Sequence, residues 1–225
     1  KLVLSDTSRR DLIANVSHDL RTPLATLQGY IEMLLLKDQS LSETDRKNYL
    51  EIAIKHCDHL SNLVDRLLEL ATLESPGMQV NSEPFNLGEL VQDVIQKFQL
   101  TTENKNIQII TNADEPIPFV NADIGLIERA LENLIENAVR HTPADGEIRL
   151  QMTPSADVIK MQISDNGPGI PEDFLPLVFK RFHQLDKSRK VDPGHTGLGL
   201  AITKKILDLH GSSIEVSSNV GSGTS

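Results

Sequence analysis

The chain has 225 residues, 39% of them hydrophobic, and a formal net charge of −10. That length allows one large domain or two modest ones. The acidic balance argues against nucleic acid as a partner, because phosphate backbones are held by lysine and arginine.

Residues Thr7 to Lys37 predict one long helix: Leu12, Val16, Leu20, Leu27, Ile31 and Leu34 recur at spacings of three, four or seven. Within it, VSHDLRTPL (Val16 to Leu24) sets a histidine beside an aspartate, with Pro23 five residues on. The longest apolar cluster, Met33 to Leu36, is four residues, far short of the roughly 20 that span a bilayer. Membrane contact is therefore expected only through regions outside this chain. No signal peptide pattern opens it, and its first residue, Lys1, and its last stretch, GSGTS, are those expected of a fragment.

DQSLSET (Asp38 to Thr44) is a polar turn, and a second helix follows to about Glu74. Leu50, Ala53, Cys57, Leu60, Val64, Leu67 and Ala71 step by three and four, a heptad seam. Leu63 and Leu70 add a second stripe. A lone hairpin cannot cover both, which predicts that it dimerises into a four-helix bundle. The alternative is a hairpin packed on its own C-terminal domain. Cys57 is the single cysteine, so no intrachain disulfide forms and a reducing compartment is expected.

SPGM (Ser75 to Met78) joins proline to glycine and marks a linker. The expected division is a hairpin over 1–76, a linker over 77–80 and a second domain over 81–225. In that second part, β-branched runs at Ile107 to Thr111, Glu147 to Thr153, Val158 to Asp165 and Ser213 to Ser218 predict strands. Amphipathic helices are expected at Leu87 to Glu103, Ile124 to His141 and Leu198 to His210. The fold class is α+β: an antiparallel helical hairpin, then a sheet covered by helices.

Two glycine clusters suit phosphate. DNGPGI (Asp165 to Ile170) follows a strand, and GHTGLGL (Gly194 to Leu200) precedes a helix. Glycine lets backbone N–H groups approach closely, and a helix start adds donors with a positive dipole end. Asn133 and Asn137 of NLIENAVRHT lie one turn apart on one helix face. An amide oxygen is a hard ligand suited to Mg²⁺. No GxxxxGK[ST] occurs, and neither cluster has dinucleotide GxGxxG spacing.

VSHDLRTPL, NLIENA, DNGPGI, VFKRF (Val178 to Phe182) and GHTGLGL resemble, in order, the H, N, G1, F and G2 boxes of sensor histidine kinases. GSGT (Gly221 to Thr224) resembles the last glycine box without the strand expected after it, and His195 stands where a small residue is usual. The resemblance implies an α/β sandwich of the Bergerat (GHKL) ATP-binding type, shared with gyrase, mismatch-repair ATPases and heat-shock chaperones. It implies that Asp165 bonds the adenine amino group, with Gly167, Gly169, Ile170 and Thr224 around it. Asn137 would hold Mg²⁺, helped by Asn133. Arg140 and Arg181 would face the phosphates, and His141 would line the site. Gly194, Gly197, Leu198 and Gly199 would wrap the phosphates, and Lys180 to Thr196 would form a lid over ATP.

The hydrolysing relatives carry a water-activating glutamate one turn before the Mg²⁺ asparagine. Asn133 holds that place here, and Glu132 and Glu136 lie off that face. His18 is then the phosphoryl acceptor, since an unprotonated imidazole is nucleophilic near neutral pH. Asp19 takes the proton of the other ring nitrogen. Pro23 cannot bond the carbonyl of Asp19, which loosens the helix beside the nucleophile. Thr22, one turn from His18, would position water for phosphatase activity toward the partner. The resemblance further implies a homodimer, a response-regulator receiver domain as partner, and a cytoplasmic domain of a protein that is often anchored in the inner membrane. The rivals are an ATP-hydrolysing clamp and a scaffold with a degenerate nucleotide site. His56 and His59 lack further zinc ligands, and His183 and His210 read as surface residues, with Gly211 a helix C-cap.

Overall fold

The computed structural model describes residues 20–36, 40–113, 117–155, 158–183 and 196–225. His18, Asp19, Gly194 and His195 lie outside them. The chain divides into two compact units: the first holds Lys1–Glu69 and Asp186–Thr196, and the second holds Leu70–Leu185 and Gly197–Ser225, so the last turn of the second long helix falls in the second unit.

In the first unit, helix α1 spans 20–36 and runs on through Pro23, which is buried. Helix α2 spans Glu43–Leu73. Its start is capped by Ser42, whose hydroxyl accepts from the Asp45 N–H at 3.1 Å and donates to the Asp45 carboxylate at 2.6 Å. The rings of Tyr30 and Tyr49 meet at 5.3 Å between centroids, joining the two helices. The two stripes of α2 fare differently. Leu63 and Leu70 are 1% and 3% exposed, whereas Leu50 and Val64 of the heptad seam are 48% and 43% exposed. A single chain covers the second stripe and leaves the seam open at Leu50 and Val64, though Ala53 is buried.

In the second unit, strand β1 (Glu83–Asn86) pairs antiparallel with β3 (Phe119–Ala122). Both escape the sequence reading, being only four residues long, with Pro84 in the first. Strands β2 (Gln108–Ala113), β4 (Glu147–Ser155), β5 (Val158–Asp165), β6 (Ser218–Asn219) and β7 (Gly223–Thr224) form a sheet in the order β2-β4-β5-β7-β6. β2 and β4 run parallel, and the remaining pairs are antiparallel. The strand expected over Ser213 to Ser218 is reduced to β6. Ahead of it, Ser217 and Ser225 exchange backbone hydrogen bonds at 2.9 and 2.8 Å.

The expected helix over Leu87 to Glu103 is two helices, α3 (Leu87–Lys97) and α4 (Gln99–Lys105). The Phe98 N–H bonds the Ile95 carbonyl at 3.0 Å, a tighter turn than the α-helical one, and this breaks the run. Helix α5 (Ile124–His141) matches its expectation, and α6 spans Gly199–Leu209. Leu90, Val91 and Val94 of α3, Leu131, Ile135 and Val139 of α5, and Ile148, Leu150 and Met152 of β4 share one core. Burial alternates along β4, so one face of the sheet is covered and the other is polar.

Candidate functional site

Helix α5 carries the paired asparagines, and its two ends are held firmly. At its start, the Asp123 carboxylate accepts from the Leu126 N–H at 3.1 Å. At its end, Lys105 donates to the carbonyls of Val139 and Arg140 at 2.8 and 3.2 Å, where the helix leaves acceptors unpaired and the dipole favours a cation. Between them, Asn133 is buried at 4% exposure and Asn137 is half-buried.

The glutamates beside these asparagines are engaged elsewhere. Lys97 of α3 donates to Glu128 and Glu132 at 2.6 and 2.7 Å. Burial pushes the Glu132 carboxyl upward, yet hydrogen bonds from Lys97 and Arg129 hold it below the usual range. The same carboxylates push the Lys97 ammonium above its ordinary value. Glu136 takes the Arg140 guanidinium at 2.8 Å.

The end of β5 forms the floor. Asp165 accepts from the Gly167 N–H at 2.8 Å and pairs with Thr224 across β7. Burial pushes its carboxyl up, against the Gly167 N–H, the charge of His141 and the Thr224 backbone. Two glycines let backbone segments pack closely here. A Cβ on Gly169, at φ +73, would lie 2.1 Å from the Asn219 carbonyl oxygen. One on Gly223, at φ +89, would lie 1.8 Å from that of Asp165. Ile170 donates its N–H to the Ser218 hydroxyl at 2.8 Å. His141 ends α5, and its side chain is exposed.

At the second glycine cluster, Gly197 adopts φ 67 and accepts from the Phe182 N–H at 3.0 Å. Leu198 is fully buried, and Gly199 opens α6. Among the described residues no side chain caps that helix start, where the first N–H groups have no partner within the helix. Asn133, Asn137 and Arg140 thus lie on α5, Asp165 ends β5, and Gly167 follows it, packed against the His141 backbone. Arg181 forms an ion pair with Glu74, a link with no sequence signal.

Thr22 is exposed on α1. His59 is buried, and burial together with the charge of His59 pushes the His56 imidazole down. His183 packs edge-on against Phe174 at 6.0 Å. His210 differs from its expected surface role. It accepts from the Asp123 N–H at 3.1 Å and sits 2.8 Å from the Ile206 carbonyl oxygen. Its position before Gly211 signals the helix end but not this contact.

Two family models match. Residues 8–76 match the His Kinase A (phospho-acceptor) domain, and residues 122–225 match the histidine kinase-, DNA gyrase B-, and HSP90-like ATPase. The chain is 34% identical over 225 residues to hybrid signal transduction histidine kinase D of Dictyostelium discoideum, with 97% of this chain and 14% of that protein covered. It is 32% identical over 222 residues to the sensor histidine kinase WalK of Bacillus subtilis, with 97% of this chain and 36% of that protein covered. It therefore spans about a third or less of these relatives' length. Among solved structures, histidine kinase ThkA in complex with the response regulator protein TrrA superposes with a TM-score of 0.78 at 26% identity, covering 95% of this chain and 59% of that one. Full-length ShkA in complex with AMPPNP superposes with a TM-score of 0.69 at 27% identity, covering 95% and 44%. With a phospho-acceptor domain followed by an ATPase domain of this kind, the chain belongs to the two-component sensor histidine kinases, as a catalytic core.

Proposed function

We propose that this chain autophosphorylates on His18 at the expense of ATP and passes the phosphoryl group to an aspartate of a response-regulator receiver domain. One ring nitrogen of His18 bonds the γ-phosphorus as the bond to the ADP oxygen breaks. The proton on the other ring nitrogen goes to Asp19. Asp165 accepts from the adenine amino group, while Gly167, Gly169, Ile170 and Thr224 shape the base pocket. Asn133, Arg140, His141, Gly194, Gly197, Leu198 and Gly199 line the rest, and Arg181 neutralises charge on the transferring group. The part-buried carboxylate of Asp165, an acceptor for an amino group, and the amide of Asn137, a hard oxygen ligand, fit a purine nucleotide with its metal. Asn137 would hold Mg²⁺, which supplies charge neutralisation at the phosphate oxygens.

The observation that carries this reading is the state of the glutamates. Glu132 is held by Lys97 and Glu136 is paired with Arg140. With Asn133 in the place of a water-activating glutamate, the pocket holds ATP without a base for water, and the γ-phosphoryl group needs the imidazole. We place the hairpin at 1–76, the linker at 77–80 and the ATP-binding domain at 81–225. The open face of α2, with Leu50, Ile54, Val64 and Leu68 exposed, suits a second copy in a four-helix bundle. Thr22 serves the opposing phosphatase reaction, positioning a water that attacks the regulator's phosphoaspartate and releases inorganic phosphate. No described helix is long and apolar enough to cross a membrane, and we assign the chain to the cytoplasm.

The test is stoichiometry. Without a regulator, phosphoryl loss from ATP stops at about one per chain, and all of it stays on the protein. Steady release of inorganic phosphate, with no protein-bound label, favours the hydrolysing clamp instead.

A further inference from the structure

The two helices that flank the nucleotide site are joined at the ends remote from it. Helix α6 starts at Gly199 and ends at Leu209, roughly 15 Å away at 1.5 Å per residue. Its end is fixed by glycine. Gly211, at φ +66, donates to the Asp208 carbonyl at 3.2 Å, and Ser212 donates to Leu207 at 2.9 Å. That turn sets the His210 ring against the start of α5. There, the Asp123 backbone N–H points at Nε2 at 3.1 Å, and Nδ1 lies 2.8 Å from the Ile206 carbonyl oxygen.

An N–H can only donate and a carbonyl can only accept. Nε2 must therefore carry a lone pair and Nδ1 the proton. One neutral tautomer satisfies both bonds, and it is not the Nε2–H form that predominates in a free histidine side chain. Asp123 is itself a junction: one carboxylate oxygen caps α5 through Leu126, and the other accepts from the Asn81 N–H, each at 3.1 Å.

We propose that His210 is a positioning residue for the nucleotide site, a role that rests on the reading of the site given above. Its Nδ1–H tautomer fastens the end of α6 to the start of α5. The α6 N-terminus and the Asn133–Asn137 face then stay in fixed relation. Helices that slide apart must be realigned before a nucleotide can bind, which lowers apparent affinity by the fraction out of place.

The test uses the 225-residue chain and its His210→Gln and His210→Leu variants. Gln keeps an acceptor near the Nε2 position, and Leu keeps none. Imidazole ¹⁵N spectra of the wild type at neutral pH show His210 protonated at Nδ1; protonation at Nε2 or at both nitrogens overturns the assignment. In calorimetric titration with AMPPNP and Mg²⁺, the Leu variant binds about three- to tenfold more weakly, and the Gln variant stays within about twofold of the wild type. Equal weakening in both variants, or none in a folded Leu variant, also overturns it. If the Leu variant does not fold, the Gln titration and the tautomer decide. A wild type that binds no AMPPNP overturns the nucleotide reading itself, and the same titration shows it.

Discussion

An Asp165→Asn chain binds ATP about 30-fold more weakly than the wild type, yet melts at the same temperature or higher at neutral pH. The affinity loss follows from replacing a charged acceptor, worth about 2 kcal/mol in a hydrogen bond, with an amide whose NH₂ can face the adenine amino group donor to donor. The stability result follows from the direction of the shift. Burial raises the carboxyl of Asp165 against the bonds that favour its charge. A raised folded-state value means that the group's contribution is fully present below its unfolded value and is lost as pH rises through the folded one. At neutral pH the wild type therefore carries the cost of a desolvated charge that the amide lacks. The advantage of the variant shrinks on acidification and vanishes below about pH 4, where both side chains are neutral. Thermal melts across pH with parallel nucleotide titrations check both halves. A variant that is less stable at neutral pH by as much as it loses in affinity marks Asp165 as a fold residue instead.

The second large effect is at Gly169. A Gly169→Ala chain loses about 3 kcal/mol of stability, combining an unfavourable left-handed backbone with overpacking. The added Cβ would stand 2.1 Å from the Asn219 carbonyl oxygen, so backbone must move. Gly221 is the control. It has φ +81 but nothing within 4 Å of a built Cβ, so Gly221→Ala bears only the backbone term, about 1 kcal/mol. Denaturant unfolding of the two variants separates strain from collision. Equal losses show that the close approach to Asn219 is relaxed at little cost.

Much of this architecture was legible because periodicity and glycine both have local causes. Helix α5 appears where its apolar residues recur at helical spacing, and β5 spans the full alternating run from Val158 to Asp165. The proposed nucleotide residues, Asn137, Asp165 and the glycines, came from motif order rather than from geometry. What escaped has non-local causes. β1 and β3 are held by each other rather than by their own composition. The break at Phe98 is one backbone hydrogen bond in a run whose side-chain pattern continues across it. The α2 stripes were both visible, but nothing in their spacing said that Leu63 would be buried in the single chain and Val64 left open. Lys97 with Glu132, Arg181 with Glu74, and His210 with Asp123 join residues far apart in sequence, each by a contact that only the fold creates.

Incubation of the wild type and a His18→Gln variant with γ-labelled ATP and Mg²⁺ tests the transfer most directly. The wild type acquires acid-labile, base-stable label, and the variant, though it still binds ATP, acquires none. Label that persists in the variant contradicts the assignment of His18 as the group that receives the phosphoryl.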